Sequence, residues 1–236
     1  MRLKINTLPN CEDCDNDSKI FCALSHNEKK ELGKDKGQNF YKKGHVIFYE
    51  GNYANGLFCI YKGRVKLSKL GIDGKPQIVR FSKDADILGY RALLTGEAYQ
   101  GTATAMDDCY ICHVSKENFL ALMRKNSNLS WNTIQLLSQD LKEAENKIID
   151  IAQKSVKERM AEAILMLINI FGIDEKDSSI NIKLSRNEIS DLIGTTTETT
   201  IRTLSQLKKD GIINLVSKKI IIKDKKKLII TSSLYD

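Results

Sequence analysis

Near Ser127 the chain changes its repeat, and no other feature limits its possible folds so strongly. Before that point, short runs alternate between apolar and polar residues: Val46 to Tyr49, Leu57 to Tyr61, Val65 to Leu67, Gln77 to Phe81 and Tyr110 to Val114. Gly44, Gly51, Gly56, Gly63, Gly71 and Gly74 stand between them. Many short strands at even spacing predict an antiparallel sandwich or barrel. Pro76 falls at the start of one run, where a missing N–H is harmless. After Ser127, Ile134, Leu137, Leu141, Ala144, Ile148 and Ile151 recur at spacings of 3, 4, 3, 4 and 3. That stripe is narrower than the face of a helix packed on its own domain, and it predicts a dimerisation seam about three heptads long. The chain therefore reads as α+β, with strands first and helices after.

The segment Leu184 to Leu207 is the most informative stretch of the helical half. Ser185 with Glu188 fits a capping box, and so does Thr195 with Glu198. Gly194 lies between the two helix starts, where a left-handed turn residue is needed. Two short helices joined by a glycine turn match the helix-turn-helix that reads DNA. In that geometry the second helix enters the major groove N-terminus first, with Thr197, Glu198, Ile201 and Arg202 outward. An Arg can fork onto guanine, and a Glu can accept from cytosine. Thr196, Arg186, Lys208 and Lys218 are expected at phosphates, where they set register without reading sequence. Ile189, Leu192, Ile193, Leu204 and Leu207 are expected to hold the helices together. Thr200 and Thr203 stand where aliphatic residues belong on that inner face. The competing reading is a plain helical hairpin with Glu198 and Arg202 as a surface ion pair. Ser155 to Gly172 reads as a further helix, Asp174 to Ser179 as a loop, and the tail after Ile212 as two strands turning near Ser217 and Lys218, a wing.

Composition sets outer limits. Thirty-seven Lys plus Arg against thirty Asp plus Glu give a net charge of +7, which suits an anionic partner without identifying one. No run approaches the 18 apolar residues of a membrane span, and Met1 to Pro9 lacks a secretory apolar run. A cytoplasmic protein with reduced thiols is expected, so its six cysteines point to metal, redox chemistry or packing more than to disulfides. No paired His and carboxylate set, glycine-rich phosphate loop or activated nucleophile suggests an enzyme.

Three segments together resemble the family of the cyclic-AMP receptor protein and the fumarate-nitrate reduction regulator. They are Gly44 to Leu67, with its Gly51 and Gly56; the hinge-like Lys154 to Arg159; and Glu198 to Arg202. The resemblance covers nearly the whole chain. It implies a Cys-rich arm (1–25), a double-stranded β-helix or jelly-roll sensor like the cyclic-nucleotide-binding domains (26–125), a dimerisation helix (126–153) and a winged helix-turn-helix (154–236). It also implies a homodimer on a palindromic operator of double-stranded DNA, and contact with RNA polymerase if the protein activates. Glu198 and Arg202 match the residues that read a TGA-type half-site core. Ile201 stands where the oxygen-responsive branch has Ser, which leaves the outer bases open.

The resemblance also bears on the signal. The family's cyclic-nucleotide pocket corresponds here to Gly89, Tyr90, Arg91, Gln100 and Gly101. Tyr90 and Gln100 replace the Glu and Arg that hold ribose and phosphate, so no tight cyclic-AMP binding is expected. In the oxygen-sensing branch, arm cysteines join one cysteine of the roll around a [4Fe–4S] cluster. The matching set here is Cys11, Cys14, Cys22 and Cys112. Cys109 and Cys112 should face opposite sides of their strand, and Cys59 reads as a core residue. Zinc, a thiol switch, another small ligand and a haem or nitric oxide site on His26, His45 or His113 remain competing signals. Ala144 occupies a seam position where the oxygen-responsive branch can carry a charge. That implies a dimer that persists without a cluster and a switch acting on helix geometry.

Overall fold

The computed structural model describes residues 8–16 and 20–232. The chain divides into two compact units, one ending at Leu141 and the other beginning at Lys142 and also taking in Gly71–Ile78.

The first unit opens with α1 (His26–Leu32) and continues through strands β1 (Gly37–Tyr41), β2 (Val46–Phe48), β3 (Gly56–Lys62) and β4 (Val65–Leu70). Strands β5 (Pro76–Ser82) and β6 (Ile87–Leu88), helix α2 (Tyr90–Thr95), strands β7 (Thr102–Ala105) and β8 (Cys109–Ser115), and helix α3 (Lys116–Lys125) follow. Among the described residues the strands form two four-stranded sheets, ordered β1-β8-β3-β6 and β2-β7-β4-β5. This crossing of early and late strands is the jelly-roll expected from the glycine-spaced runs. One core lies within the roll, where Ile60, Val65, Ala103, Cys109 and Ile111 are buried. A second core joins the roll to its helices through Leu57, Leu93, Val114, Phe119 and Leu129. Ile20, Phe21 and Leu24 drop into that second core, and Phe21 meets Phe119 edge to face.

Helix α4 (Ser127–Gln153) carries the predicted stripe. Leu137 packs partly on the second core. Ile134, Leu141, Ile148 and Ile151 are each more than half exposed, and Ala144 is exposed beside them. Among the described residues no helix is long and apolar enough to cross a membrane.

The second unit holds α5 (Val156–Phe171), α6 (Arg186–Ile193), α7 (Thr197–Lys209), the hairpin β9 (Ile213–Val216) and β10 (Lys219–Ile222), and α8 (Lys225–Ser232). The sequence gives no cue for α8, which packs against α5. The predicted wing turn is present: β9 and β10 pair antiparallel, and Ser217 between them has φ 54°. The segment read as the loop Asp174 to Ser179 has more structure than expected. Ser179 bridges to Ile221 of the wing, and Ile173 bridges to Ile180.

Candidate nucleic-acid interface and thiol cavity

The two helices of the DNA-reading motif form for the local reasons expected, with one correction. Ser185 caps α6: its hydroxyl accepts from the Glu188 N–H at 3.1 Å, and the Glu188 carboxylate accepts from the Ser185 N–H at 2.9 Å. Gly194 ends the helix in the left-handed conformation, at φ 67° and ψ 55°. The second capping box does not form. The Thr195 N–H bonds back to the Ser190 carbonyl at 3.2 Å, so Thr195 helps to close α6. Helix α7 then starts one residue later, and the Thr196 hydroxyl accepts from the Thr199 N–H at 3.2 Å. Glu198 is thereby released from any capping task.

Ile189, Leu192, Ile193, Leu204 and Leu207 are all buried between the elements, as expected. Thr200 lies with them at 0% exposed, and among the described residues its hydroxyl has no hydrogen-bond partner. Thr203 is half-buried, and its hydroxyl donates to the Thr199 carbonyl at 2.8 Å.

On the opposite face of α7, Glu198, Ile201 and Arg202 are exposed. Among the described residues no ion pair or hydrogen bond engages the side chain of Glu198 or of Arg202, so the surface-pair reading is not what the structure contains. The Thr197 hydroxyl turns inward instead of outward, donating to the Asn187 side chain at 3.1 Å and lying 3.3 Å from the Ser190 hydroxyl. It locks α7 to α6. Thr196 is exposed but acts as the helix cap. One Arg186 guanidinium nitrogen donates to the Ser217 carbonyl of the wing turn at 3.3 Å, while Nη1 is buried without a partner among the described residues. Lys208 and Lys218 are exposed.

In the roll, Gly89, Tyr90, Arg91, Gln100 and Gly101 line one pocket, together with Arg80, Tyr99 and Leu67. Tyr90 fills part of it. Arg80 donates to the Tyr90 phenol oxygen at 2.8 Å and pairs with Asp140 of α4 at 2.6 Å. The phenol in turn donates to Asp140. Burial pushes Tyr90 and Tyr99 up to about 12. The Arg91 side chain is exposed.

The cysteines sort differently from the predicted set. Cys11, Cys14, Cys59 and Cys112 line a single cavity, together with Lys29 and Lys36. Cys59 and Cys112 are direct cross-strand partners in the β3–β8 register, so their side chains share one face. The arm is laid over them by polar ties. The Leu8 N–H donates to the Gln38 side chain at 3.0 Å, the Gln38 amide returns a bond to the Leu8 carbonyl at 2.9 Å, and Asn16 donates to the Ile60 carbonyl at 3.0 Å. Lys36 donates to the Pro9 carbonyl. Cys22 is not brought to the other predicted ligands. Its neighbours Ile20, Phe21 and Leu24 are anchored in the core, which leaves Cys22 exposed, with its sulfur 3.9 Å from the Asn132 amide. Cys109 faces the opposite side, as alternation requires, buried against the Arg64 carbonyl at 3.3 Å.

Burial raises the thiols of Cys11 and Cys59, and it pushes Cys112 to about 11 against the lowering pull of Lys36. Among the described residues no three His, Cys, Asp or Glu side chains stand ready around a single ion. The four cysteines line the one cavity. The donor types, four cysteine sulfurs with Lys29 and Lys36 on the same cavity, are those that soft metals accept as thiolates.

A jelly-roll and a winged helix-turn-helix in one chain define a class: transcription regulators that join a β-roll to a DNA-binding unit. The profile of the cyclic nucleotide-binding domain matches residues 38–126, and that of the Crp-like helix-turn-helix domain matches residues 158–229. The nitrogen fixation regulation protein FixK of Azorhizobium caulinodans is 28% identical over 77% of this chain and 73% of its own. The fumarate nitrate reduction regulatory protein of Klebsiella oxytoca is 27% identical over 78% of this chain and 73% of its own. In fold, the structure of FixK2 from Bradyrhizobium japonicum superposes with a TM-score of 0.74 at 23% identity, over 85% of this chain and 99% of that one. The chain belongs to the family of the cyclic-AMP receptor protein and the fumarate-nitrate reduction regulator, DNA-binding transcription regulators that are not enzymes.

Proposed function

We propose that the protein is a cytoplasmic homodimeric regulator that reads a palindromic operator through α7 and senses redox state through its cysteines. The observation that carries the DNA reading is the exposed pair Glu198 and Arg202, four residues apart and without partners among the described residues. That spacing aims both at neighbouring base edges when the helix enters a major groove N-terminus first. Ile201 between them offers a methyl surface to a thymine. Lys208 and Lys218 supply phosphate contacts, and Arg186 steadies the wing.

The exposed stripe Ile134, Leu141, Ile148 and Ile151 on α4 is the proposed dimer seam. A two-fold dimer would place two recognition helices about 34–36 Å apart, on half-sites one DNA turn apart. If the regulator activates, RNA polymerase is its further partner.

For the signal, the thiol-lined cavity favours a metal centre of the iron–sulfur type over a ligand in the roll. In the roll pocket, the Tyr90 phenol and Gln100 stand where a cyclic nucleotide would need a carboxylate and a guanidinium, and Arg80 is already committed to Asp140. Tight cyclic-AMP binding is therefore not expected.

The DNA reading is tested by selecting an operator from random duplexes, then measuring binding of Arg202→Ala and Glu198→Ala at fixed salt. Each lost base contact should weaken the selected site by about 1–3 kcal/mol, roughly 5–150-fold, while binding to unrelated DNA stays within a few-fold. Equal losses on both DNAs would remove the base-reading role.

A further inference from the structure

The cysteine arm carries an inference about which thiols act together, and it rests on the reading that this regulator holds a thiolate metal centre. We propose that Cys11, Cys14, Cys59 and Cys112 are the ligands of that centre, and that Cys22 is outside it. Cys59 and Cys112 are the fixed half of the set. They are cross-strand partners on β3 and β8, in the sheet β1-β8-β3-β6, so backbone pairing holds their sulfurs side by side before any metal arrives. Cys11 and Cys14 are the half supplied by the arm. They sit on irregular chain, held over the sheet by the Gln38 clamp on Leu8 and by Asn16 on Ile60. Gly33 leaves room for this approach: a Cβ there would meet the Cys11 sulfur at 3.3 Å.

Lys29 and Lys36 complete the cavity wall. Four thiolates place a large negative charge in a half-buried site, and two ammonium groups offset it. Cys22 has the opposite setting. Moving it to the cavity would require pulling Phe21 from Phe119 and Ile20 from the core. The arrangement also bears on the metal. Four thiolates can serve either a cluster, which offers each sulfur its own metal atom, or zinc, which draws all four to about 2.3 Å from one point, and the two metals are therefore the two arms of the test.

The test uses the full-length protein purified without oxygen. One sample is incubated with ferrous iron and sulfide, another with zinc alone, and bound metal and sulfide per chain are measured with the visible spectrum. Cys22→Ser should load like the native protein. Cys11→Ser, Cys14→Ser, Cys59→Ser and Cys112→Ser should each lose most of the bound metal and colour. Because a substitution at Cys59 can disturb the sheet, thiol alkylation of the unsubstituted protein gives a second measurement. Loading should protect Cys59 at least tenfold against modification and leave Cys22 as reactive as before. Loss of metal in Cys22→Ser with retention in Cys59→Ser, or protection of Cys22 without Cys59, overturns the ligand set while the metal-centre reading stands. Failure of the native protein to take up either metal overturns both.

Discussion

The buried hydroxyl of Thr200 offers a sharp test of the packing under the recognition helix. Its oxygen is fully enclosed and without a partner among the described residues, at 0% exposure, amid Ile189, Leu192, Leu204 and Leu207. An unsatisfied buried polar group costs about 1–3 kcal/mol. Thr200→Val keeps the branching and nearly the volume while exchanging the hydroxyl for a methyl, and the two residues have similar helix propensity. The second unit should therefore gain about 1–2 kcal/mol. Thr203→Val is the control, because its hydroxyl is half-buried and bonded to the Thr199 carbonyl, and its loss should change stability by less than about 0.5 kcal/mol in either direction. Urea unfolding followed by hydrogen exchange of the α7 amides reads both quantities. Thr200→Val should raise the midpoint with an unchanged slope, and operator binding should hold because the residue faces away from Glu198 and Arg202. If Thr200→Val destabilises the unit, or only matches Thr203→Val, the hydroxyl is not the burden described.

Ser185→Ala removes the hydroxyl half of a fully formed capping box and should lower the stability of the second unit by about 0.5–2 kcal/mol in the same unfolding assay; an unchanged midpoint would mean that the cap is idle. Gly194→Ala places a Cβ at φ 67° and should cost about 1–2 kcal/mol, with a matching loss of operator affinity if it tilts α7; full stability would show that the turn relaxes. Ile148→Glu puts a charge on a residue 67% exposed in the isolated chain, and sedimentation should show monomer at concentrations where the native protein is dimeric; a persistent dimer would move the seam elsewhere. In the roll, Tyr90 and Tyr99 ionise only near 12, while the unfolded phenols ionise near 10. The unfolded state then releases its protons first, so stability present below about pH 10 should be lost as pH climbs from about 10 to 12. Ionisation of Tyr90 and Tyr99 themselves below pH 11 in the folded protein, read from their own ring NMR signals because exposed phenols such as Tyr49 and Tyr53 contribute to the bulk absorbance, would contradict that.

The short alternating runs and the capping box of α6 are legible because each is a local pattern that its own burial satisfies. Strand β1 is not: Gln38, Asn39 and Phe40 are all exposed, so no apolar alternation marks it. Two-residue β6 and the Thr-Ala-Thr-Ala run of β7 are likewise too short or too small-chained to register. The sequence places the start of α7 one residue early because Thr195 and Thr196 are chemically equivalent caps, and only the hydrogen bond back to Ser190 decides between them. In the thiol cavity, Cys11, Cys14 and Cys112 were legible from spacing and from the resemblance. Cys59 was not, because its neighbour Cys112 lies far along the chain and only strand register joins them. Cys22 enters the expected set through its spacing and the resemblance, neither of which carries information about Phe21 and Ile20 anchoring the same turn.

Tyr90, Arg80 and Asp140 share one set of bonds, and Asp140 belongs to the helix whose outer stripe is the proposed seam. Any molecule that displaced the phenol would strip a carboxylate on that helix of one of its two partners. Thermodynamic reciprocity then applies: whatever factor pocket occupancy exerts on pairing of the helix, pairing exerts on occupancy. Mating two chains would thus alter the grip of the roll on a guest molecule, even if no guest ever made contact with the second chain.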